Sequence, residues 1–152
     1  KCFDTIRRDT LFIKLQQIGF PFEMCALLHF IYRKLVFVIK SGIQFTESYM
    51  SVIGLPQGDP LSAVLFCLFV YDLPMCFTHL GPIINGICVA YIMYADDLAI
   101  VCESVEELQG AIDNLSEYCV KNGLKINADK TKCMSFFKGR PPQCSFMLVL
   151  SK

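Results

Sequence analysis

Two stretches near the start of the chain carry apolar residues at helical spacing. The pattern in "DTLFIKLQQI" predicts an amphipathic helix over 9–18, with Asp9 as its N-cap and Gly19 just past its end. Its apolar stripe consists of Leu11, Leu15 and Ile18. The next segment, "PFEMCALLHFIYRK", predicts a second helix with Pro21 near its first turn.

A further helix, over 104–123, has the clearest start and stop signals. Ser104 and Glu107 have the spacing of a capping box, and Gly123 follows the last periodic position. One face carries the apolar residues Leu108, Ile112, Leu115 and Cys119. We expect this helix to pack that face on a core.

The remaining segments favour hairpins and shaped loops. "LVFVIKSGIQFTESYMS" is rich in β-branched and aromatic residues around "KSG", which predicts a hairpin. "GLPQGDPLSAVLFCLFVYDLP" predicts a loop leading into a largely buried helix that starts at about Pro60 and is ended by Pro74. "GICVAYIMY" and "LAIVCE" are strand candidates that place Ala95–Asp97 at a hairpin tip, and "LKI" and "CMSFF" predict short strands around "NADKTK". This irregular order predicts an α+β fold, an antiparallel sheet with helices packed on one face.

Composition restricts the class of protein. Hydrophobic residues make up 54% of the 152 residues and the mean hydropathy is +0.47. The longest apolar run, 63–71, is far shorter than the ~20 residues that a membrane-spanning helix needs, so we expect a buried core and no membrane partner. The start "KCFDTIRRDT" does not resemble a signal peptide, and we expect the chain to begin inside a longer protein.

The nine cysteines and two histidines form no metal-ligand pattern. There is no CxxC pair, and most cysteines sit among apolar residues, which predicts buried thiols in a reducing compartment. The histidines His29 and His79 stand alone, which makes a histidine-based zinc site a poor interpretation.

Charge is strongly segregated along a chain whose net charge is zero. Residues 41–120 contain no Lys or Arg and ten acids, a charge of −10, whereas the flanks hold all 14 basic residues and four acids, a charge of +10. An acidic centre between basic ends suits a protein that holds metal ions beside a polyanion. Solvated acids on one helix explain Glu103–Glu117 equally well, but they do not explain Asp96 and Asp97.

Asp96 and Asp97 lie between two apolar runs, in "YIMYADDLAIV", where the pattern predicts burial. Two adjacent buried carboxylates raise each other's pKa and need a positive partner. Magnesium is the natural candidate, since it is usually held by one or two carboxylates plus substrate phosphates. Two such ions about 4 Å apart can catalyse phosphoryl transfer, which normally requires one more carboxylate. A solvated turn or a helix cap remains the alternative for an isolated "ADD".

Three segments in order resemble the reverse transcriptases of non-LTR (LINE-like) retrotransposons. They are "GLPQGDPLSAVLF" (54–66), "YADD" (94–97) and "GLKINADKTKCM" (123–134), preceded by "KCFDTIRRDTLFIKL". The likeness covers nearly all of residues 1–137. The combination of "YADD" with "PQGDPLS" upstream points to an RNA-directed DNA polymerase and away from viral RNA-copying polymerases with "GDD". The resemblance implies a polymerase palm with some fingers elements.

The resemblance assigns the metal and primer sites to the hairpin. It implies that Asp96 is the principal ligand of two Mg²⁺ ions, for which Mn²⁺ is a possible substitute, and that Asp97 supports it. Tyr94 is expected to pack under the primer end. In this family a third ligand lies three positions before the Lys of "KAFD", here "KCFD", which places it upstream of residue 1. Asp4 matches a non-ligating position, and we do not assign it a catalytic role.

The resemblance assigns nucleotide contacts to the other motifs. Gln57 and Gly58 match a loop that contacts the template and the incoming nucleotide, where glycine permits close backbone approach. Phe3 matches the aromatic residue that stacks under the sugar and excludes a 2′-hydroxyl. Lys130 matches a lysine near the nucleotide phosphates and a plausible proton donor to pyrophosphate, with Lys125 as its rival. A solvated turn explains Lys130 as well, and an ordinary core position explains Phe3.

We therefore predict a partial reverse transcriptase domain over 1–138, followed by a tail or the truncated start of another segment over 139–152. The intact parent is expected to extend a DNA primer on an RNA template with deoxynucleoside triphosphates, together with the fingers, the thumb and possibly an endonuclease of a polyprotein. The 152-residue chain alone is expected to be almost inactive. A catalytically dead relic or host-retained nucleic-acid-binding module is the alternative, and an unrelated metal-binding or membrane-associated protein is a third.

Overall fold

The structure, a computed structural model, describes residues 2–136 and Gly139. The chain divides into two compact units, Lys1–Val70 and Tyr71–Lys152, which are described separately below. Within the described residues, no helix combines the length and the apolar character needed to cross a membrane. The tail predicted over 139–152 lies outside the described residues except for Gly139, so the domain boundary stays a prediction.

The described part of the first unit contains four helices: α1 (Cys2–Thr5), α2 (Arg8–Gln17), α3 (Phe22–Arg33) and α4 (Pro60–Phe69). Helix α2 packs against both α3 and α4. The apolar side chains buried between them include Ile6, Leu11, Leu15, Leu28, Leu65 and Phe69. The predicted starts of α3 at Pro21 and of α4 at Pro60 are confirmed, because a proline is well tolerated at a helix entrance.

Two of the predicted helix ends are wrong. The N-cap of α2 is Arg7 rather than Asp9, which lies inside the first turn. Helical bonding already includes Arg7, whose carbonyl accepts from the N–H of Leu11, so the helix starts before the side chain that the pattern favoured. Helix α4 ends at Phe69, and Pro74 lies instead within the first turn of a separate 3₁₀ helix, where its missing N–H costs nothing.

Two small antiparallel pairings complete the first unit. Strand β1 (Val36–Phe37) pairs with β4 (Tyr49–Met50), and β2 (Lys40–Ser41) pairs with β3 (Gln44–Phe45). Lys40 lies opposite Phe45, so Gly42 and Ile43 form the turn and the hairpin predicted around "KSG" is confirmed.

The second unit combines two ribbons with one long helix. Its 3₁₀ helix (Leu73–Phe77) is followed by β5 (Ile83–Ile84), β6 (Ile87–Cys88), β7 (Tyr91–Tyr94), β8 (Asp97–Ile100) and α5 (Val105–Asn122). β5 pairs with β6 and β7 with β8, both antiparallel. The 3₁₀ helix packs on α5, where the Tyr118 hydroxyl donates to Asp72 Oδ1 at 2.6 Å. Burial and this neighbouring carboxylate raise the pKa of Tyr118.

The capping box at the start of α5 is confirmed. The Ser104 hydroxyl accepts from the N–H of Glu107 at 3.1 Å. The Glu107 carboxylate in turn accepts from the N–H of Glu103 at 2.7 Å and from the N–H of Gly81 at 2.5 Å. One acidic side chain therefore ties the helix start to the loop before β5. Gly123 ends the helix in the left-handed conformation, as predicted.

The strands predicted at "LKI" and "CMSFF" are wrong over the described residues 124–126 and 133–136, which form no regular element. The N–H of Leu124 donates to the Cys119 carbonyl at 2.8 Å and closes the end of α5, so it is not available to a neighbouring strand. After it, the N–H groups of Lys130 and Thr131 donate to the Asn127 carbonyl and form a turn. A short β-prone sequence forms a strand only when a partner strand bonds its backbone. Here the backbone N–H groups bond to nearby carbonyls instead.

The predicted α+β class is confirmed, since helices combine with antiparallel pairings. The described strands form four separate two-stranded sheets. The expectation of buried cysteines is correct for Cys25 and Cys119 but wrong for others, because Cys67, Cys88 and Cys133 are exposed.

Candidate functional site

The "YADD" motif forms the tip of the β7–β8 ribbon. Tyr94 lies opposite Asp97, so Ala95 and Asp96 form a two-residue turn, and Asp97 is already the first residue of β8. Ala95 has φ +51°, a left-handed conformation in which glycine is ordinarily found. The hairpin predicted at this motif is confirmed, with a turn one residue shorter than expected.

The two faces of this ribbon differ in exposure. Tyr91, Met93, Leu98 and Ile100 are half-buried, and the rings of Tyr91 and Phe77 lie 5.4 Å apart. The opposite face is exposed and carries Ile92, Tyr94, Asp97 and Ala99. Because side chains alternate along a strand, Tyr94 and Asp97 are cross-strand neighbours on this exposed face.

Asp96 and Asp97 are both exposed, so the expectation that they would be buried is wrong. The apolar run that suggested burial is covered on one face only, and the turn projects from the end of the ribbon. Within the part of the chain that the structure describes, neither carboxylate has a hydrogen-bonding partner. Two unpaired carboxylates at adjacent positions are suitable oxygen ligands for a divalent cation.

The described residues contain no group of three His, Cys, Asp or Glu side chains close enough to hold a metal ion. Asp96 and Asp97 alone can supply part of a coordination sphere. The third carboxylate that the sequence analysis placed upstream of residue 1 therefore stays a prediction.

In the first unit, the loop from Gly54 to Asp59 carries Gln57 and Gly58 and is fixed at both ends. The N–H of Leu55 donates to the Phe3 carbonyl at 2.8 Å. The Asp59 side chain accepts from the N–H of Leu61 at 3.1 Å and caps α4. Gly58 has φ +91° and nothing lies within 4 Å of where a Cβ would be, so glycine is needed there for its conformation rather than for space.

Phe3 and Gln57 both lie beside this fixed loop. The Phe3 ring is half-buried and stacks on Phe66 with centroids 4.7 Å apart. The exposed Gln57 donates from Nε2 to Asp4 Oδ1 at 2.9 Å. The first unit thus brings together three predicted nucleotide contacts, Phe3, Gln57 and Gly58, around the short helix α1.

The side chain of Arg8 fixes the start of the same loop by hydrogen bonds to its backbone. Its side chain is 8% exposed, and its guanidinium donates to four backbone carbonyls, those of Gly54, Tyr32, Ser51 and Ile53, at 2.6–3.3 Å. Burial lowers the pKa of Arg8. Nothing in "RRD" indicates that the second arginine points inward, so this residue was not predicted from the sequence.

Asp4, Arg8 and Gln57 line a cleft of about 250 Å³ in the first unit, together with Tyr49, Ser51, Leu55 and Pro56. Of the predicted nucleotide contacts, Gln57 lines this cleft.

Lys130 and Lys125 are both exposed in the segment after α5. Lys130 lies in a turn that begins at Asn127, whose side-chain oxygen accepts from the N–H of Lys130 at 3.4 Å. The backbone of Lys130 is therefore fixed in a turn and its side chain is exposed, which suits either a phosphate contact or a solvated lysine.

Comparison with known proteins identifies the family. Residues 1–147 match the family described as reverse transcriptase (RNA-dependent DNA polymerase). The Pol polyprotein from the type-2 retrotransposable element R2DM of Drosophila melanogaster is 27% identical over 94% of this chain and 14% of its own length. The RNA-directed DNA polymerase from the mobile element jockey of Drosophila funebris is 30% identical over 64% of this chain and 10% of its own length.

A third relative, the Pol polyprotein from the type-1 retrotransposable element R2 of Nasonia vitripennis, is 25% identical over 83% of this chain and 12% of its own length. The chain therefore belongs to the reverse transcriptase family, and the resemblance to non-LTR retrotransposon enzymes is confirmed. The chain spans about a seventh or less of the length of these relatives.

Proposed function

We propose that this chain is the palm region, with some fingers elements, of a non-LTR retrotransposon reverse transcriptase. In the longer protein it directs attack of a primer 3′-hydroxyl on a deoxynucleoside triphosphate. The observation that carries this proposal is the position of Asp96 and Asp97, unpaired and exposed at the turn of a ribbon, in a chain whose family is that of RNA-dependent DNA polymerases.

Divalent metal ions, Mg²⁺ or alternatively Mn²⁺, fit the donors at this turn. Asp96 and Asp97 offer oxygen ligands that no other described group engages, which is the ligand chemistry these cations prefer. When bound, two metal ions activate the attacking oxygen and stabilise the leaving one. Asp96 is proposed as the principal ligand and Asp97 as its support, with a further carboxylate from residues preceding Lys1.

The other side chains are proposed to position the reactants. Tyr94, 85% exposed beside Asp97, offers an open aromatic surface for the primer end. Gln57 and Gly58 are proposed to contact the template and the nucleotide. Phe3 is only half-buried by its stacking on Phe66, which leaves part of the ring to select against a 2′-hydroxyl. Lys130, with Lys125 as its alternative, is proposed to lie near the nucleotide phosphates.

The proposed partners are an RNA template, a DNA primer, deoxynucleoside triphosphates and the remaining parts of a parent polyprotein. The segregation of charge supports this set, since basic flanks suit a nucleic-acid backbone while the acidic middle suits cations. The relatives support it too, because two of them are named Pol polyproteins and this chain spans 14% and 12% of their lengths.

Primer extension on an RNA template with Mg²⁺ tests the proposal. We expect a protein extended upstream of Lys1 to incorporate deoxynucleotides, whereas the 152-residue chain extends the primer little. Asp96→Ala in the extended protein should lower the rate at least about a thousandfold, because metal ligation contributes several kcal/mol to the transition state. Asp113→Ala, which removes an exposed carboxylate from α5, is the matched control and should leave the rate unchanged.

Equal extension by the wild type and the Asp96→Ala variant would contradict the assignment of the active site. Absence of extension by every form, with nucleic-acid binding retained, would instead favour the second candidate, a non-catalytic nucleic-acid-binding module with the same fold.

A further inference from the structure

The hydrogen bond from Gln57 Nε2 to Asp4 Oδ1, 2.9 Å long, connects two residues that lie 53 positions apart. We propose that Asp4 is a positioning residue, which fixes the orientation of the Gln57 carboxamide toward an incoming deoxynucleotide. This inference rests on the proposed function of the loop that carries Gln57. It gives a role to an aspartate that offers no metal ligation.

The carboxylate determines which way the amide points. An ionised carboxylate only accepts hydrogen bonds, whereas a carboxamide has one accepting end and one donating end. Gln57 must therefore turn its Nε2 toward Asp4. The amide then has its Oε1 and one remaining N–H available for a ligand. Without Asp4, the two amide orientations differ little in energy and the side chain gains rotational freedom.

The backbone around Asp4 is fixed well enough to serve this role. The N–H of Leu55 donates to the Phe3 carbonyl, and the N–H of Gly54 donates to the Ile6 carbonyl, each at 2.8 Å. These two bonds lie on either side of Asp4 and join its helix to the loop that leads to Gln57. Gly54 also approaches closely, since a Cβ there would lie 2.8 Å from the Asp4 carbonyl oxygen.

The pair also lies where a ligand has space. Asp4 and Gln57 are both exposed and both line the cleft of about 250 Å³. Arg8 lines the cleft as well, but four of its five N–H groups donate to backbone carbonyls. The Gln57 carboxamide, in contrast, can offer a ligand both its Oε1 acceptor and its second N–H donor.

The test measures binding of a fluorescent deoxynucleotide, mant-dGTP with Mg²⁺, to the 152-residue chain. Asp4→Ala removes the acceptor and should raise Kd about three- to tenfold, the effect of one hydrogen bond to a charged group near solvent. Asp4→Asn keeps an acceptor at the same place and should restore part of the affinity. Adding Asp4→Ala to Gln57→Ala should produce no further loss, because both changes remove the same interaction.

Asp113→Ala is the matched control. Asp113 Oδ1 accepts from Gln109 Nε2 at the same distance of 2.9 Å, in an exposed position on α5. Its loss should leave Kd unchanged. In parallel, the side-chain NH₂ signals of Gln57 in an NMR spectrum should shift in Asp4→Ala and stay in place in Asp113→Ala.

The outcomes separate this inference from the proposed function. If the wild type binds mant-dGTP and Asp4→Ala binds it equally well, Asp4 does not position Gln57 and the inference is overturned while the polymerase proposal stands. If the wild type binds no mant-dGTP although Gln57 responds to Asp4→Ala, the proposed role of the loop is overturned, and the inference fails with it. Additive losses in the double variant would show that Asp4 acts independently of Gln57.

Discussion

Arg8 in the first unit and Asp96 in the second both carry a full charge, but their surroundings are opposite. Arg8 is buried and its guanidinium donates to four backbone carbonyls. Asp96 is exposed at a turn and, within the described residues, its carboxylate accepts no hydrogen bond. The guanidinium of Arg8 is bonded by groups of the protein, whereas the carboxylate of Asp96 remains available to a cation from solution.

The difference follows from the cost of burying charge. A buried guanidinium is tolerated only when its N–H groups are bonded. The bonds to the carbonyls of Ser51, Ile53 and Gly54 fix the segment that leads to Gln57. An exposed carboxylate costs the fold almost nothing, so it can remain unpaired until a cation binds. Lys14 follows the first pattern, since it is 5% exposed and its ammonium group donates to the Phe69 carbonyl at 2.9 Å.

The largest expected effect on folding is that of Arg8→Met. The substitution fills similar space but leaves the carbonyls of Tyr32, Ser51, Ile53 and Gly54 without their donor. We expect the free energy of unfolding, measured in urea, to fall by about 3–5 kcal/mol. Arg7→Met changes an exposed neighbour and should cost less than about 0.5 kcal/mol. If both variants lose the same free energy of unfolding, the hydrogen bonds of buried Arg8 do not stabilise the fold.

Glu107 is an intermediate case, a partly exposed carboxylate that the backbone satisfies. N–H donors from Glu103, Gly81 and Ser104 hold its pKa below the ordinary value of 4.5. Since the folded-state pKa lies below the unfolded-state value, its contribution is complete above about pH 4.5 and is lost as the pH falls through the folded-state pKa.

We expect Glu107→Gln to lower the free energy of unfolding at neutral pH by about 1 kcal/mol, as for other solvent-screened hydrogen bonds to charge. In this variant, the free energy of unfolding should also decrease less steeply than in the wild type as the pH falls below 4.5. Glu106→Gln, at an exposed position of the same helix turn, is the control. Identical acid profiles for the wild type and Glu107→Gln would mean that the carboxylate is not bonded as described.

A smaller effect is expected from Ala95→Gly at the turn that carries Asp96. Ala95 has φ +51°, which costs an L-residue roughly 1–2 kcal/mol, whereas glycine adopts it freely but loses more chain entropy on folding. We expect a net stabilisation of at most about 1 kcal/mol by thermal denaturation. Ala95→Val should destabilise, because a β-branched residue fits this conformation poorly. Stabilisation by valine would show that the turn is not held in the left-handed region.

The sequence predicted the elements whose signals are local. Ser104 and Glu107 mark a helix start through a hydrogen bond made within three residues, and Pro21 and Pro60 mark helix starts through their fixed φ. All three predictions are confirmed. A local signal was also missed: Asn85–Gly86 is a common hairpin turn, and it joins β5 to β6.

The errors arose where contacts distant in sequence decide the structure. Burial of Arg8 depends on carbonyls more than twenty residues away, which no local pattern encodes. The exposure of Asp96 and Asp97 depends on which face of their ribbon is covered, and a continuous apolar run cannot show that. The pairing of Asp4 with Gln57 likewise joins two distant motifs.

The smallest expected effect on folding is that of Asp96→Asn combined with Asp97→Asn. Because neither carboxylate has a partner among the described residues, the free energy of unfolding should change by less than about 0.5 kcal/mol. The same substitutions should nevertheless abolish metal binding at this turn, since both ligand charges are lost.

A titration of the chain with Mn²⁺, followed by NMR, measures this directly through the paramagnetic broadening of backbone amide signals. We predict that the signals of Tyr94–Leu98 broaden first in the wild type and that this selective broadening disappears in the double variant. The acidic helix that starts at Val105 provides the internal comparison. Broadening centred on that helix, or unchanged at the turn after both substitutions, would contradict the claim that Asp96 and Asp97 are left unpaired to bind a metal ion.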